Sequence, residues 1–190
     1  MFSSLRQRSA PSLARRFIAA HEGIIAVEFA LIAPLMIATY FAVTELSDAY
    51  TAKSKVTVVA STAADLAAQE TAICDAEMDD VFAALSAIMF PYPVNDMKIK
   101  ITSLVDAGNG TVRAAWSDAL NDTPRAVNSI VSIPDGLVTS GSGSSVIFAE
   151  VTYNYASPAG VMIYGTIPLS DKFYLHPRRT LKVARSANDC

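Results

Sequence analysis

The chain has 190 residues, of which 52% are hydrophobic and 17% are charged, and its formal net charge is −3 at pH 7. This length accommodates one domain of ordinary size together with a membrane segment. The net negative charge argues against the basic surface that general nucleic-acid binding requires, so we predict no nucleic-acid partner. The two cysteines and two histidines match no metal-ligand spacing, and we predict no metal site.

Residues 1–23 form a short basic leader that contains Arg6, Arg8, Arg15 and Arg16. The next segment, residues 24–43, is apolar and long enough for a membrane-spanning helix, because about 20 residues at 1.5 Å each cross roughly 30 Å of hydrocarbon. The positive charge before this anchor segment predicts a cytoplasmic leader and an exported region after about residue 44. An ordinary secretory signal would have a shorter apolar stretch and a small-x-small cleavage site. We therefore predict a single-pass membrane protein.

The anchor segment contains one carboxylate, Glu28. A carboxylate in a membrane helix costs about 2.5–3.5 kcal/mol on insertion scales, so its presence needs a reason. Glu28 could reach the headgroups or be protonated, or it could contact a partner or direct processing. Pro34 in the same segment is expected to kink the helix, because it removes one backbone hydrogen bond.

Residues 44–70 contain no glycine or proline and are rich in alanine. Alanine has the highest helix propensity, so we predict one helix from roughly residue 15 to residue 70. Small and branched apolar residues recur at intervals of three and four in its second half, at Val56, Val59, Ala63, Leu66 and Ala67. We expect this stripe to pack on the domain of the same chain rather than on a partner helix.

Residues 71–190 are predicted to form a small α+β domain with an antiparallel sheet. A helix is expected over Glu77–Met89, with Asp75 as its N-cap and with Pro91 and Pro93 ending it. A short helix is also expected over residues 121–130. The predicted strands are Lys98–Thr102, Thr111–Ser117, Val146–Tyr155, Met162–Ile167 and Thr180–Ala184. The first two should form a hairpin around the turn Asp106–Gly110, and residues 139–145 have the composition of a flexible loop.

The sequence offers little support for an enzyme. His176 is the only histidine beyond the anchor segment, and no Ser-His-Asp set or phosphate-binding loop is recognisable. Aromatic residues cluster late in the chain, at Tyr153, Tyr155, Tyr164, Phe173 and Tyr174. They fit a sheet core better than a ligand platform. We predict no catalytic residue and no cofactor.

Cys74 and Cys190 lie on the exported side of the anchor segment and could form a disulfide bond. Such a bond would close a loop of more than about 100 residues, for which the chain-entropy treatment gives roughly 4–5 kcal/mol before strain. Two unpaired thiols are the alternative.

The stretch from Gly23 to Phe29, GIIAVEF, resembles a type IV prepilin processing site. The longer pattern AVEFAL, with Pro34 and Glu45 after it, is similar to the signature of TadE-like minor pseudopilins of the tight-adherence (Tad, or Flp) pilus system. The later stretches VTYNY at residues 151–155, IPLS at 167–170 and PRR at 177–179 are similar to the same family. Major Flp pilins usually carry tyrosine where this chain has Phe29 and are much shorter, so the resemblance is to the minor proteins.

This resemblance implies that a prepilin peptidase cuts between Gly23 and Ile24. In the assembled fibre, Glu28 would then meet the new N-terminal amine of a neighbouring subunit and set the register between the helices, because an unpaired carboxylate in an apolar bundle is costly. It also implies partners among other pilins or pseudopilins and Tad assembly proteins, at the inner membrane of an adhesive bacterium with the domain in the periplasm. The alternative function is an uncleaved, membrane-anchored periplasmic adaptor of a pilus or secretion machine.

Overall fold

The computed structural model describes residues 22–108, 111–134, 136–138, 143–157 and 165–187. The chain divides into two compact units, Met1–Thr44 and Glu45–Cys190. The protein is an α+β protein with a long N-terminal apolar helix and an antiparallel sheet, as the sequence predicts. The proposed domain bounds of 1–23, 24–43 and 71–190 stay predictions, and residues 1–21 of the leader lie outside the described part.

The helix of the first unit belongs to α1, which runs from Glu22 to Gln69 and has 48 residues. Its predicted beginning near residue 15 lies outside the described residues, and its end agrees with the prediction to within one residue. Pro34 lies inside the helix, and the kink expected there stays a prediction.

The second unit is built on a five-stranded antiparallel sheet with the strand order β4-β3-β2-β5-β6. The strands are β2 (Met97–Asp106), β3 (Val112–Leu120), β4 (Ile130–Val131), β5 (Ser145–Ala156) and β6 (Thr166–Leu175). The predicted β2–β3 hairpin is confirmed, with a register irregularity between Ser103 and Leu104. The two longest central strands, β2 and β5, pair over nine residues on each strand, from Met97↔Tyr153 to Val105↔Ser145.

A second, two-stranded sheet joins the segment after α1 to the C-terminal part of this unit. β1 (Ala72–Ile73) follows α1 directly and pairs in parallel with β7 (Ala184–Arg185). The Arg185 guanidinium donates to the Ile73 carbonyl at 3.1 Å and to the Asp118 carboxylate at 2.9 and 3.1 Å. The C-terminal segment is therefore fixed both to the residues after α1 and to β3.

The helix α2 runs from Asp75 to Ile88, and its N-cap is Cys74 rather than the predicted Asp75. The Cys74 sulfur accepts the backbone N–H of Glu77 at 3.5 Å, and the Glu77 carboxylate accepts the backbone N–H of Cys74 at 3.1 Å. This reciprocal capping box satisfies two helix-terminal donors with one cysteine and one glutamate. Asp75 becomes the first helical residue, where its negative charge favours the helix N-terminus.

The predicted helix over residues 121–130 is wrong. Asn121 and Asn128 have φ angles of 54° and 65°, in the left-handed region, which a right-handed helix does not use. The Asn121 amide donates to the carbonyls of Val94 and Met97 at 3.2 and 2.9 Å, while the Asn128 N–H donates to the carbonyl of Ala114 at 2.8 Å. These bonds to distant carbonyls replace the local bonds of a helix.

The C-terminal strand predictions are only partly right. Of the predicted strand Thr180–Ala184, Ala184 alone lies in a strand, because the Leu181 carbonyl accepts instead from the Ser145 N–H at 2.9 Å. The predicted strand Met162–Ile167 overlaps the described residues only at its end, where β6 begins at Thr166. The predicted turn 106–110 and loop 139–145 also lie partly outside the described residues, and Ser145 already belongs to β5.

The main core lies between α1 and one face of the large sheet. Four residues of the predicted apolar stripe pack into it, with Val56, Val59, Ala63 and Ala67 fully buried. The fifth, Leu66, is half-buried and lies outside this core. Alternate residues of β5 divide between the two faces, because side chains alternate along a strand. Ile147 and Ala149 belong to this main core, whereas Phe148 belongs to a smaller cluster with Leu104 and Val131. The stripe therefore fixes the second half of α1 to its own domain.

Candidate membrane anchor and assembly surfaces

The first half of α1 exposes large apolar side chains on all sides. The exposed fraction of these side chains is high, at 73% for Ile25, 67% for Phe29, 75% for Leu31 and 69% for Leu35. The helix is long and apolar enough to cross a membrane, and none of its most apolar 18-residue window is buried. A helix that is apolar all round needs apolar surroundings, either lipid or other helices. This segment fits a membrane anchor.

The predicted processing residues lie at the start of this exposed helix. Ile24 and Glu28 are four residues apart, so they occupy one helix face, and both are exposed. Phe29 is exposed beside them. A Cβ atom at Gly23 would meet no atom within 4 Å, so an alanine there is sterically free. Their roles in processing and assembly stay predictions.

Polar contacts attach the second half of α1 to β6. The Lys53 ammonium donates to the Ser170 carbonyl at 2.7 Å and to the Asp171 carboxylate at 3.0 Å. The Thr57 hydroxyl also donates to Asp171. The hydrogen bond from Thr57, followed by the one from Lys53, lowers the pKa of Asp171 below its usual range, against the opposing effect of burial.

A second polar attachment lies nearer the end of α1. The Arg178 guanidinium pairs with the Asp65 carboxylate, and the Arg178 N–H donates to the Ala68 carbonyl at 2.9 Å. Sequence reasoning missed both attachments, because their partners are more than 100 residues apart (separations of 118 and 113). The resemblance of the PRR stretch to a known family gave the only sequence signal for Arg178.

Residues 23–65 match the family model of TadE-like proteins. The matched TadE-like segment contains the whole exposed apolar helix, the buried stripe up to Ala63 and the side chains of Lys53, Thr57 and Asp65 that hold the domain. No curated protein and no solved structure matches the chain. The match connects this segment with the assembly of Tad pili, and proteins of this family are not typically enzymes.

Outside the TadE-like segment, His176 has a structural environment. Its Nδ1 lies 3.3 Å from the carbonyl oxygen of Ser145, at the start of β5. Within the described part of the chain, no group of three or more histidine, cysteine or acidic side chains is placed to hold a metal ion. The contact with Ser145 links the segment after β6 to β5 and suggests no chemistry.

Cys74 lies where β1 ends, close to the C-terminal segment. The Ser186 N–H donates to the Ile73 carbonyl at 3.0 Å. Ser186 therefore lies next to the residue before Cys74, and Cys190 follows Ser186 by four residues in the sequence. Cys190 itself lies outside the described residues, so the pairing of the two cysteines stays a prediction.

The predicted aromatic cluster divides between the two faces of the sheet. Tyr153 and Tyr155 are 3% exposed and belong to the main core. Tyr174 instead stacks on Phe148 across the β5–β6 pair, with 4.5 Å between the ring centroids. Phe173 is 38% exposed, and Tyr164 lies outside the described residues. Most of the described rings of this cluster thus pack in the core of the sheet or against a neighbouring strand.

Proposed function

We propose that the protein is a minor pseudopilin that assists assembly of a Tad-type adhesive pilus after cleavage between Gly23 and Ile24. The observation that carries this proposal is the coincidence of the TadE-like match with an exposed, uniformly apolar helix. Such a helix suits both lipid, before extraction, and the helical core of a fibre, after it. The domain after residue 45 would then contact other pilins, pseudopilins or Tad assembly proteins.

The proposed orientation puts the leader in the cytoplasm and the domain in the periplasm, with the anchor segment in the inner membrane. The arginines before the segment support this orientation. A cytoplasmic leader would also present Gly23 at the membrane face where the resemblance expects the prepilin peptidase to act.

Cleavage at this point would give Glu28 a specific task. The freed ammonium group of Ile24 and the Glu28 carboxylate occupy the same helix face, one turn apart. Within an apolar bundle, either group would be costly without a partner of opposite charge. Pairing between neighbouring subunits would therefore select one register over its alternatives. An uncleaved adaptor is the second candidate, and it would use the same domain without this pairing.

The test is the intact mass and N-terminal residue of the protein extracted from the membranes of its native cells. We expect a chain that begins at Ile24. Gly23→Ala should abolish this processing without disturbing the helix, since the position is sterically open and alanine favours helices. Val27→Ala, a conservative change in the same exposed helix, is the matched control and should be processed normally.

A wild-type chain that keeps residues 1–23 would contradict the pseudopilin proposal. The membrane-anchored adaptor would then be the better description, because an uncleaved basic leader would hold the helix in the bilayer. A Gly23→Ala chain that still begins at Ile24 would instead show that the peptidase does not require glycine at this position.

A further inference from the structure

A cleft of about 280 Å³ opens at the start of the second unit, between α1, the segment after α2 and the end of β5. We call it the tyrosine cleft, and its walls include Asp48, Tyr92, Asp96, Tyr153 and Tyr155. We propose that the tyrosine cleft binds a cationic side chain, an arginine or a lysine, of a partner protein. This site is separate from the processing site and from the helix contacts invoked above.

The sequence brings aromatic rings to the cleft from two elements. Tyr153 and Tyr155 are two residues apart in β5 and therefore point to the same face. Tyr92 lies between Pro91 and Pro93. Its ring contacts the rings of Tyr153 and Tyr155 edge-on, at centroid distances of 6.0 and 6.3 Å. The Tyr92 hydroxyl donates to the Asp48 carbonyl at 3.1 Å. Tyr92 is half-buried and is the most accessible of the three rings, and the face of such a ring attracts cations.

The charged groups of the cleft are all negative. Asp48 and Asp96 line it, and no lysine or arginine does so among the described residues. Neither of these aspartates forms an ion pair within the described part of the chain. Residues 157–165, which continue from β5, carry no charged side chain in the sequence. Among the described residues, the negative charge of the cleft is thus not paired with a cation.

A third carboxylate adds to this field. Glu45 lies three residues before Asp48, on the same side of α1. Its Oε1 atom is buried and has no hydrogen-bond partner among the residues that the structure describes. Burial raises the pKa of Tyr155, and the negative charges of Asp48 and Glu45 raise it further. The pKa of Tyr153 is likewise raised, first by burial and then by the negative charge of Asp96. A buried carboxylate oxygen without a donor is costly unless a partner supplies one.

These features select a cation over the other candidate ligands. An anionic lipid or phosphate group would be repelled by the carboxylates, and a purely apolar group would leave them unpaired. An arginine or lysine side chain satisfies both parts of the cleft, because its charged end pairs with carboxylates while its stem packs on rings. A protein side chain fits better than a small free amine, because its longer stem can pack on the rings while its charged end reaches the carboxylates.

The experiment measures binding of N-acetyl-arginine amide to the full-length chain in a neutral detergent, with ¹³C-labelled tyrosine rings followed by NMR. We expect the ring signals of Tyr92, Tyr153 and Tyr155 to shift and saturate, with a dissociation constant on the order of 1 mM for so small a probe. N-acetyl-citrulline amide, which has nearly the same shape without the charge, should bind at least about fivefold more weakly.

Two variants locate the site. Asp48→Asn and Asp96→Asn should each weaken binding by about fivefold, as expected for loss of one partly solvated charge pair. Asp79→Asn, which neutralises an exposed aspartate of α2, is the matched control and should bind like the wild type. Thermal unfolding confirms that each variant is folded before it is compared.

Equal binding of the arginine and citrulline probes would overturn the proposal, and so would unchanged binding in both cleft variants. Phosphoethanolamine, the headgroup of a common bacterial lipid class, is tested in parallel. Tighter binding of this compound than of the arginine probe would overturn the assignment to a protein side chain. None of these results depends on whether Gly23 is processed.

Discussion

The attachment of α1 to the sheet rests on small side chains, and Ala63→Leu tests it most directly. Ala63 is fully buried in the main core, and so are its helix neighbours Val59 and Ala67. Leucine adds three carbon atoms where the structure leaves no exposed surface, so either the helix must move away from the sheet or side chains must leave their preferred rotamers. Overpacking of this kind costs about 1–3 kcal/mol.

This cost converts to a measurable shift in melting temperature. A folded unit of roughly 150 residues loses about 2–4 °C for each kcal/mol, so Ala63→Leu should lower the midpoint by about 2–12 °C. The assay is thermal unfolding of the full-length chain in detergent, followed by circular dichroism. The matched control is Ser54→Leu, which places the same side chain on the exposed side of α1 and should leave the midpoint nearly unchanged.

An unchanged midpoint for Ala63→Leu would refute the reasoning, because a leucine is tolerated at this position only if α1 does not lie against the sheet as described. A loss of similar size for Ser54→Leu would point to an effect of leucine on the helix or the detergent rather than on packing.

Two further predictions concern covalent and polar attachments. Cys74→Ser should lower the free energy of unfolding by about 2–4 kcal/mol, because it removes a disulfide bond while serine preserves the helix cap. Chemical denaturation with and without reductant measures this loss. Two reactive thiols in the unreduced wild-type protein would contradict the prediction. Asp171→Asn should cost at most about 1 kcal/mol at pH 7, because solvent screens the pair with Lys53. As the pKa of Asp171 is lowered on folding, its stabilisation is present above the unfolded value near 3.9 and is lost as the pH falls through the folded value. The difference in urea unfolding between the wild type and Asp171→Asn should therefore be smaller at about pH 3 than at pH 7.

Strong local patterns made the long helix and β5 predictable. The alanine-rich stretch up to Gln69 has one preferred conformation, and β5 combines branched and aromatic residues with alternation. β6 was largely missed because its outer part, Thr166–Asp171, contains a proline and polar residues and is mostly exposed. Such an edge strand carries little hydrophobic signal, and its partner defines it.

The candidate sites also differ in how far the sequence alone predicts them. The processing residues Gly23 to Phe29 are contiguous, so the sequence alone suggests them. The tyrosine cleft instead unites α1, the segment after α2 and β5, and its geometry follows from the cross-strand register and from the hydrogen bond that links Tyr92 to Asp48. No periodicity within one element can place Asp48 beside Tyr155, which is why the sequence predicted only a sheet core for these tyrosines.

The parallel pairing of β1 with β7 has a consequence for the order in which this protein matures. The residues it joins, Ile73 and Arg185, are 112 positions apart, so the strand next to the long helix stays unpaired until the last part of the chain has been synthesised. Contacts of such long sequence separation form late. Any step that needs the finished domain must wait until residues 183–185 have been synthesised, and a chain truncated before Val183 would also lose the carbonyl that accepts the Trp116 indole N–H at 2.8 Å. The β1–β7 pairing thus makes completion of this domain depend on residues 184 and 185, which follow all strands of the large sheet along the chain.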